Sequence, residues 1–305
     1  MKQIYILLVA MCAIAFTACS DDDNTKDPID DDNGGEEMIT AVYEPEYEYD
    51  LELNIGTFKE GENITIDWGD GGISEFTSFA TDSWVWGGDE LHYAIIGQGE
   101  VIHKYPNYNA HTITIKGKIK EFYCHDVLTK LDVSKCPALV NLYCCYNNIS
   151  SLDVSKCTAL TELQCDENNL TSLDVSKCTV LTELHCGDNN LTSLDVSKCT
   201  ALTILSCGGN NLTSLDVSKC TALTGLHCSS NNLTSLDISK NTALTSLNCR
   251  DNNLSASALN KIFNDLPKGK KWDEYGGQST IHIGNNPGTD TCDKSIAENK
   301  GWIVW

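Results

Sequence analysis

The sequence repeats itself at a fixed interval of 21 residues. Successive copies begin at Leu128, Ile149, Leu170, Leu191, Leu212 and Leu233. A unit this short cannot bury its own apolar side chains, whereas a stack of units buries them continuously, each unit against the next. The repeat therefore predicts an elongated stack of coils, with neighbouring strands about 4.8 Å apart.

Each copy carries the same short pattern of leucine, cysteine and asparagine. In "LTELQCDENNL", residues 160–170, the pattern is L-x-x-L-x-C-x-x-N-x-L. It resembles the signature of leucine-rich repeats and covers about residues 119–253, because a degenerate half-copy over 119–124 precedes the six. The resemblance implies a mainly β, right-handed solenoid whose strands line a concave face. Since no helical run fits inside a copy, the opposite side is expected to be irregular or extended.

Three polar positions recur in every copy. The asparagines are expected to be buried at a tight turn, where their amides satisfy backbone groups. The aspartates and lysines lie three residues apart, so we expect two columns that offset each other's charge on a solvated outer side. The columns are Asn147, Asn168, Asn189, Asn210, Asn231 and Asn252; Asp153, Asp174, Asp195, Asp216 and Asp237; and Lys156, Lys177, Lys198, Lys219 and Lys240.

Sixteen cysteines would normally indicate disulfides or zinc, but here most recur once per repeat. No C-x-x-C pair is present, and Asn241 stands in one ladder position. We therefore predict reduced thiols that pack as small apolar side chains. Cys145 and Cys292 fall outside the ladders, and the sequence leaves their state open. The ladders are Cys136, Cys157, Cys178, Cys199 and Cys220, and Cys124, Cys144, Cys165, Cys186, Cys207, Cys228 and Cys249.

The first 40 residues are predicted to be a signal and a tether. Residues 1–18 have the Lys2-plus-apolar pattern of a secretory signal. Cys19, followed by Ser-Asp-Asp-Asp, resembles a bacterial lipobox and the surface-export signal of Bacteroidetes lipoproteins. The resemblance implies that Cys19 is acylated, as with palmitate, and holds the protein on the outer membrane facing outward. The rest of 19–40 is acidic and is predicted to be a disordered linker.

The charge distribution excludes one class of partner. Residues 20–52 carry 14 acidic side chains and one lysine, so −13 of the net charge of −22 lies in this stretch. No basic stripe is present that would neutralise phosphates, and a nucleic-acid partner is not expected.

Residues 41–118 follow a different pattern. "NITIDWGDGGISEF" and "YNAHTITIKG" alternate as strands do. Trp68-Gly69-Asp70-Gly71 with the later His103 and Tyr105 resembles the polycystic-kidney-disease (PKD)-like β-sandwich. Asp67 and Asp70 are interpreted as turn residues rather than calcium ligands, because calcium needs six or more oxygens.

Residues 254–305 are predicted to be an α/β cap. Leu259, Ile262, Phe263 and Leu266 recur at helical spacing behind Ser255, and Pro267 ends the helix. "STIHIG" and "GWIVW" are expected to be strands, with a short helix over 293–301 between them. A terminal unit of this kind gives the stack a polar end.

The residues that vary between copies are the outward-pointing strand positions. In order they are Asn141, Tyr143, Cys145; Glu162, Gln164, Asp166; Glu183, His185, Gly187; Ile204, Ser206, Gly208; Gly225, His227, Ser229; and Ser246, Asn248, Arg250. The N-terminal copies are acidic and aromatic, and tyrosine supplies contact area at low entropic cost. We therefore predict a ligand-binding concave face formed by Tyr123, Asn141, Tyr143, Tyr146, Glu162, Gln164, Asp166, Glu183 and His185.

Catalysis, cofactors and metals are not expected. His185 and His227 lie two strands apart, about 10 Å, which is too far to share a metal ion. No nucleophile triad or phosphate-binding glycine loop occurs. Glu162 and Glu183 lie on adjacent strands, but a shallow sheet offers no water-excluded pocket for a carboxylate pair.

Two functions remain open from the sequence. The first is a surface adhesin or protein-binding module, whose partner is a host or bacterial surface protein. The second is a glycan-binding lipoprotein for polysaccharide capture, with Trp84, Trp86 and Tyr93 as the stacking platform. A purely structural role at the cell surface is a third alternative.

Overall fold

The computed structural model describes residues 37–44, 51–81, 92–94, 101–124, 128–270 and 277–305. The predicted signal, Cys19, Trp84 and Trp86 lie outside these residues. Strands β1–β8 precede the repeats: Met38–Tyr43, Leu51–Thr57, Asn63–Asp67, Ile73–Thr77, Phe79–Thr81, His92–Ala94, Val101–His103 and His111–Lys116. Strands β9–β16 are Glu121–Tyr123, Leu128–Asp132, Asn141–Tyr143, Glu162–Gln164, Glu183–His185, Ile204–Ser206, Gly225–His227 and Ser246–Asn248. The cap contains α1 (Ala256–Asp265), β17 (Thr280–His282), α2 (Ser295–Glu298) and β18 (Ile303–Val304).

The repeats form a solenoid with one parallel, in-register sheet. Each three-residue strand pairs with the equivalent strand of the next coil, for example Leu163 with Leu184 and Gln164 with His185. The centre residue of each strand is buried and the flanking two face outward, except at Gly225, which is buried. The stack predicted from the 21-residue period is confirmed, and the described residues of the repeats, 119–124 and 128–253, contain no helix.

Both cysteine ladders are buried in the core as thiols, as predicted. The ladder that begins at Cys136 does more than fill space. From its second member on, each thiol donates toward a valine carbonyl 24 residues earlier, as in Cys157 Sγ to Val133 O at 3.5 Å and Cys220 Sγ to Val196 O at 3.4 Å. Asn241 continues the same contact, because its Nδ2 donates to Val217 O at 3.1 Å. The position therefore selects a compact donor as well as a small volume.

The asparagine ladder connects the coils and satisfies the turns, which confirms its predicted role. Asn189 is typical: its Oδ1 accepts from the Leu170 N–H of the preceding coil at 2.9 Å. Its Nδ2 donates to Cys165 O and Gly187 O, both at 2.9 Å. The side chain is 6% exposed, and the buried Leu170 N–H depends on its amide oxygen.

The aspartate column is exposed, as predicted, and each of its side chains also closes a local turn. Each aspartate Oδ1 accepts the N–H of the serine two residues later, as Asp174 does from Ser176 at 2.8 Å. This bond lowers the pKa of Asp174. Within the described part of the chain, no ion pair within 4 Å joins the aspartate column to the lysine column. The short Asp-x-Ser spacing favours a local Asx turn over a contact with a long, solvated lysine.

The N-terminal strands form two sheets that continue into the solenoid. One has the order β10-β1-β8-β3-β4, so the first repeat contributes β10 to it. In the other, β2 pairs antiparallel with β9 and thereby extends the parallel sheet. The predicted strands on either side of the W-G-D-G turn are β3 and β4, and β8 is the predicted "HTITIK" strand. β1 begins at Met38, inside the segment predicted to be linker up to residue 40, because Ile39 and Ala41 are buried.

The W-G-D-G turn closes onto an aromatic stack. The rings of Trp68 and His103 are parallel, with centroids 4.4 Å apart, and Tyr105 Oη donates to Trp68 O at 2.9 Å. Asp70 accepts from Gly72 N and contacts His103 Nε2 at 2.8 Å. Asp67 likewise accepts from Gly69 N. The turn interpretation of both aspartates fits these contacts.

The cap follows its prediction closely. Ser255 Oγ accepts the Ala258 N–H at the start of α1, and Leu259, Ile262 and Phe263 are buried. β17 and β18 extend the parallel sheet, with α2 between them in sequence. No helix within the described residues is long and apolar enough to cross a bilayer.

We expect Asn189→Ala to destabilise the protein by about 1–3 kcal/mol, because the buried Leu170 N–H loses its hydrogen-bond partner. The measurement is the urea unfolding midpoint. Asn190→Ala is the matched control: its side chain is exposed, and we expect a change below about 0.5 kcal/mol. Equal effects of the two substitutions would show that the ladder amide contributes nothing specific.

Candidate functional site

The exposed side of the parallel sheet, here called the strand face, has two rows along its strands. The first residues of the strands form one row and the third residues form the other, and neighbouring members are paired in register. The first row is Glu121, Asn141, Glu162, Glu183, Ile204, Gly225, Ser246 and Thr280. The third row is Tyr123, Tyr143, Gln164, His185, Ser206, His227, Asn248 and His282. Acidic groups are confined to the first four strands, here called the N-terminal half.

Glu162 is the centre of a hydrogen-bonded cluster in the N-terminal half. Tyr143 Oη donates to its Oε2 at 2.8 Å, and Gln164 Nε2 donates to its Oε1 at 2.7 Å. The Tyr143 and Tyr123 rings have centroids 6.0 Å apart. Burial, together with the adjacent carboxylate, raises the pKa of Tyr143, so the phenol stays protonated and keeps donating. Asn141 accepts from Thr161 Oγ1 at 3.1 Å.

Asp166 lies beside this cluster and is held from two sides. Gly187 N donates to its Oδ1 at 2.8 Å, and Cys145 Sγ donates to its Oδ2 at 3.6 Å. A Cβ at position 187 would lie 3.0 Å from that Oδ1, so glycine leaves room for the contact. Burial raises the pKa of Asp166, although His185 and the two bonds act in the opposite direction. Burial also raises the pKa of the Cys145 thiol.

The pKa values of the histidines in the third row are shifted in opposite directions. Burial alone lowers the pKa of His185, but its contact with Glu183, at 3.7 Å, and the charge of Asp166 outweigh burial and raise it. Burial lowers the pKa of His227 and of His282, and neighbouring cationic groups lower both further. The direction of the histidine pKa shift therefore changes along the row.

Tyr146 is not on the strand face with the other predicted residues. It occupies the turn after β11 with a φ of 57° and is 56% exposed. The equivalent residues of later coils also have positive φ: Glu167, Asp188, Gly209, Ser230 and Asp251. The prediction placed Tyr146 among the residues of the concave sheet, whereas the structure places it in the turn that follows the strand.

Sequence reasoning missed a further coil at the C-terminal end of the strand face. Residues 281–286, "IHIGNN", follow the same pattern as "LHCGDN" at 184–189, with Ile283 in the cysteine position. Asn286 continues the asparagine ladder, since its Oδ1 accepts from Leu254 N at 3.0 Å. The repeat pattern was missed here because α1 and the loop after it lengthen this coil, so that the 21-residue spacing is lost. The coil adds Thr280 and His282 to the strand face and places Trp305 next to His282.

No group of three or more histidine, cysteine, aspartate or glutamate side chains in the described residues is arranged to hold a metal ion. Glu162 and Glu183 are register partners on β12 and β13, as the sequence predicted. Glu162 already accepts two hydrogen bonds, and it stands on an open sheet.

Comparison with known proteins supports the repeat architecture. Residues 179–220 match the family model described as leucine rich repeats (2 copies). The chain thus contains leucine-rich repeats, and they form a solenoid of stacked coils. No curated protein matches the chain significantly.

Several solved structures of bacterial proteins are similar to part of the chain. An internalin (InlF) from Listeria monocytogenes is 22% identical with a TM-score of 0.49, over 56% of this chain and 48% of that one. The functional domain of InlJ from the same organism, which includes a cysteine ladder, is 29% identical with a TM-score of 0.33, over 60% and 49%. A leucine-rich-repeat protein from Leptospira interrogans is 26% identical with a TM-score of 0.42, over 44% and 37%. The chain thus spans about half or less of the proteins it resembles.

We expect NMR titration to separate the three histidines of the third row. His185 should titrate above the ordinary value of 6.5, and His227 and His282 below it. Glu183→Gln should lower the pKa of His185 while leaving that of His282 unchanged. Assignment by single His→Gln variants completes the measurement, and a His185 that titrates below 6.5 would contradict the geometry described above.

Proposed function

We propose that the protein is a non-enzymatic module that binds another protein through the N-terminal half of its strand face. The observation that carries this proposal is the Tyr143–Glu162–Gln164 cluster, in which both carboxylate oxygens are fixed by side chains on a rigid sheet. A surface whose groups are already ordered loses little side-chain entropy when a partner docks. Leucine-rich repeats generally serve as protein-interaction scaffolds, and solenoids present extended binding surfaces of this kind.

The charge of this half indicates the chemistry of the partner. Glu121, Glu162 and Glu183 lie on β9, β12 and β13, and Asp166 follows β12. A partner surface with lysine or arginine would be complementary, and the tyrosines would supply apolar contact area. Because such pairs are screened by salt, binding should weaken as ionic strength rises.

We further propose that the module is held at the cell surface by lipid. Cys19 and the Ser-Asp-Asp-Asp that follows it resemble the anchor and export signal of a Bacteroidetes outer-membrane lipoprotein. The acidic linker would then separate the folded part from the membrane. On this proposal, residues 41–118 are a PKD-like unit that carries the repeats outward.

The alternative function, polysaccharide capture by Trp84, Trp86 and Tyr93, rests on sequence alone. Trp84 and Trp86 lie outside the described residues, and Tyr93 belongs to β6. Replacing both tryptophans by alanine would test this platform separately from the strand face.

The binding proposal is tested by probing immobilised mucosal and extracellular-matrix proteins with the full chain. We expect at least one basic protein to bind, and the double variant Tyr143→Ala with Glu162→Ala to weaken that binding at least tenfold. Tyr108→Ala with Glu75→Ala is the matched control, because both residues are exposed away from the strand face. Binding that survives the first pair and is lost with the second would assign the site to the N-terminal sheets instead.

The anchor is tested by labelling cells that express the full chain with a clickable palmitate analogue. We expect the chain to incorporate the label and Cys19→Ala to abolish both incorporation and membrane retention. Cys292→Ala is the control, since its thiol belongs to the folded cap. Label retained by the Cys19 variant would disprove acylation at this residue.

A further inference from the structure

The C-terminal end of the strand face has chemistry unlike that of the N-terminal half. From β15 to β17 its outward side chains are His227, Ser246, Asn248, Thr280 and His282. All five present hydroxyl, amide or imidazole groups and none is a carboxylate. His227 Nε2 and Ser246 Oγ lie 3.3 Å apart, so neighbouring members of this set contact each other across strands.

Trp305 extends this row with an exposed indole. It is 63% exposed, whereas Trp68 and Trp302 are each 2% exposed. The backbone holds it in place: Trp305 N donates to Ile281 O, and its own carbonyl accepts from Ile283 N, both at 2.9 Å. Its ring stacks with His282 at a centroid distance of 6.3 Å and an interplanar angle of 18°. A flat aromatic surface is therefore fixed in position on the polar row.

We propose that this end of the strand face binds a neutral oligosaccharide, with one pyranose ring stacked on Trp305 beside His282 and the hydroxyls of the following sugars bonded by Asn248 and Ser246. A pyranose has an apolar C–H face that suits an indole, and hydroxyls that both donate and accept. Asparagine, serine and neutral histidine side chains each offer a hydrogen-bond donor and an acceptor to match these hydroxyls. The side chains recur at the strand spacing of about 4.8 Å, which is comparable with the length of one sugar ring.

The electrostatics favour a neutral sugar over a charged segment of protein. Burial lowers the pKa of His227 and of His282, so both rings are uncharged at neutral pH and each keeps one donor and one acceptor. Arg250, the nearby cation, contacts Asp251 at 3.4 Å. The proposal is independent of the protein-binding function, which depends on residues of the N-terminal half.

The test is isothermal titration of the full chain with cellohexaose, maltohexaose, laminarihexaose, xylohexaose and mannohexaose. We expect at least one to bind and to quench tryptophan fluorescence. Trp305→Ala should weaken that binding at least tenfold, while Trp305→Phe should stay within about threefold of the parent. Tyr108→Ala is the matched control, because it removes an equally exposed aromatic, 59% exposed, from another surface.

Asn248→Ala gives a second test that does not alter the edge strand, and we expect it to weaken the same saccharide at least threefold. Tyr143→Ala with Glu162→Ala should leave saccharide binding unchanged, which separates this site from the proposed protein site. No heat with any of the five hexasaccharides would overturn the proposal. Saccharide binding that Trp305→Ala leaves intact would also overturn it. So would a protein ligand, found instead of a saccharide, whose binding is lost with Trp305→Ala.

Discussion

The fold depends on a buried amide that bonds two coils at once. In each repeat the asparagine accepts a backbone N–H 19 residues earlier and donates to a carbonyl 24 residues earlier, as well as to carbonyls of its own turn. No apolar residue can perform these bonds, and leaving a buried backbone group without a partner costs about 1–3 kcal/mol. The ladder therefore fixes the register of each coil relative to the preceding one. In that register the leucine and cysteine side chains of neighbouring coils are buried against each other.

A sheet held this tightly can vary its outward residues without changing their positions. Strand residues one coil apart are register partners, so a substitution alters chemistry at a fixed location. This explains how one face can present fixed carboxylates around Glu162 and a neutral, hydroxyl-rich row near Trp305. The fixed position of the Glu162 carboxylate is likewise a consequence of the sheet, because Tyr143 reaches it from the preceding strand and Gln164 from its own strand.

The interior could be predicted from the sequence better than the surface. The repeat specifies which residues are buried, because the same apolar positions recur at every coil and only the neighbouring coils can cover them, and the asparagine and cysteine ladders accompany these positions. Tyr146 was misplaced because it is an αL residue in a turn, and the period does not encode turn geometry. The Asx bonds of the aspartate column were missed for the same reason, although the exposure of the column was predicted. The coil of His282 was missed because α1 interrupts the spacing, although "IHIGNN" keeps the pattern.

The pairing of β2 with β9 affects which surface a partner of the N-terminal half of the strand face would contact. β2 pairs with β9, so Asn54 lies beside Tyr123 and Gly56 beside Glu121 within one sheet. A Cβ at Gly56 would lie 2.9 Å from that of Glu121, so glycine permits the close approach. The first repeat is thereby covered as a solenoid end must be. The acidic surface begins at this covered end, and a partner that docks on Glu162 and extends past Tyr123 would meet the N-terminal strands on the same continuous sheet.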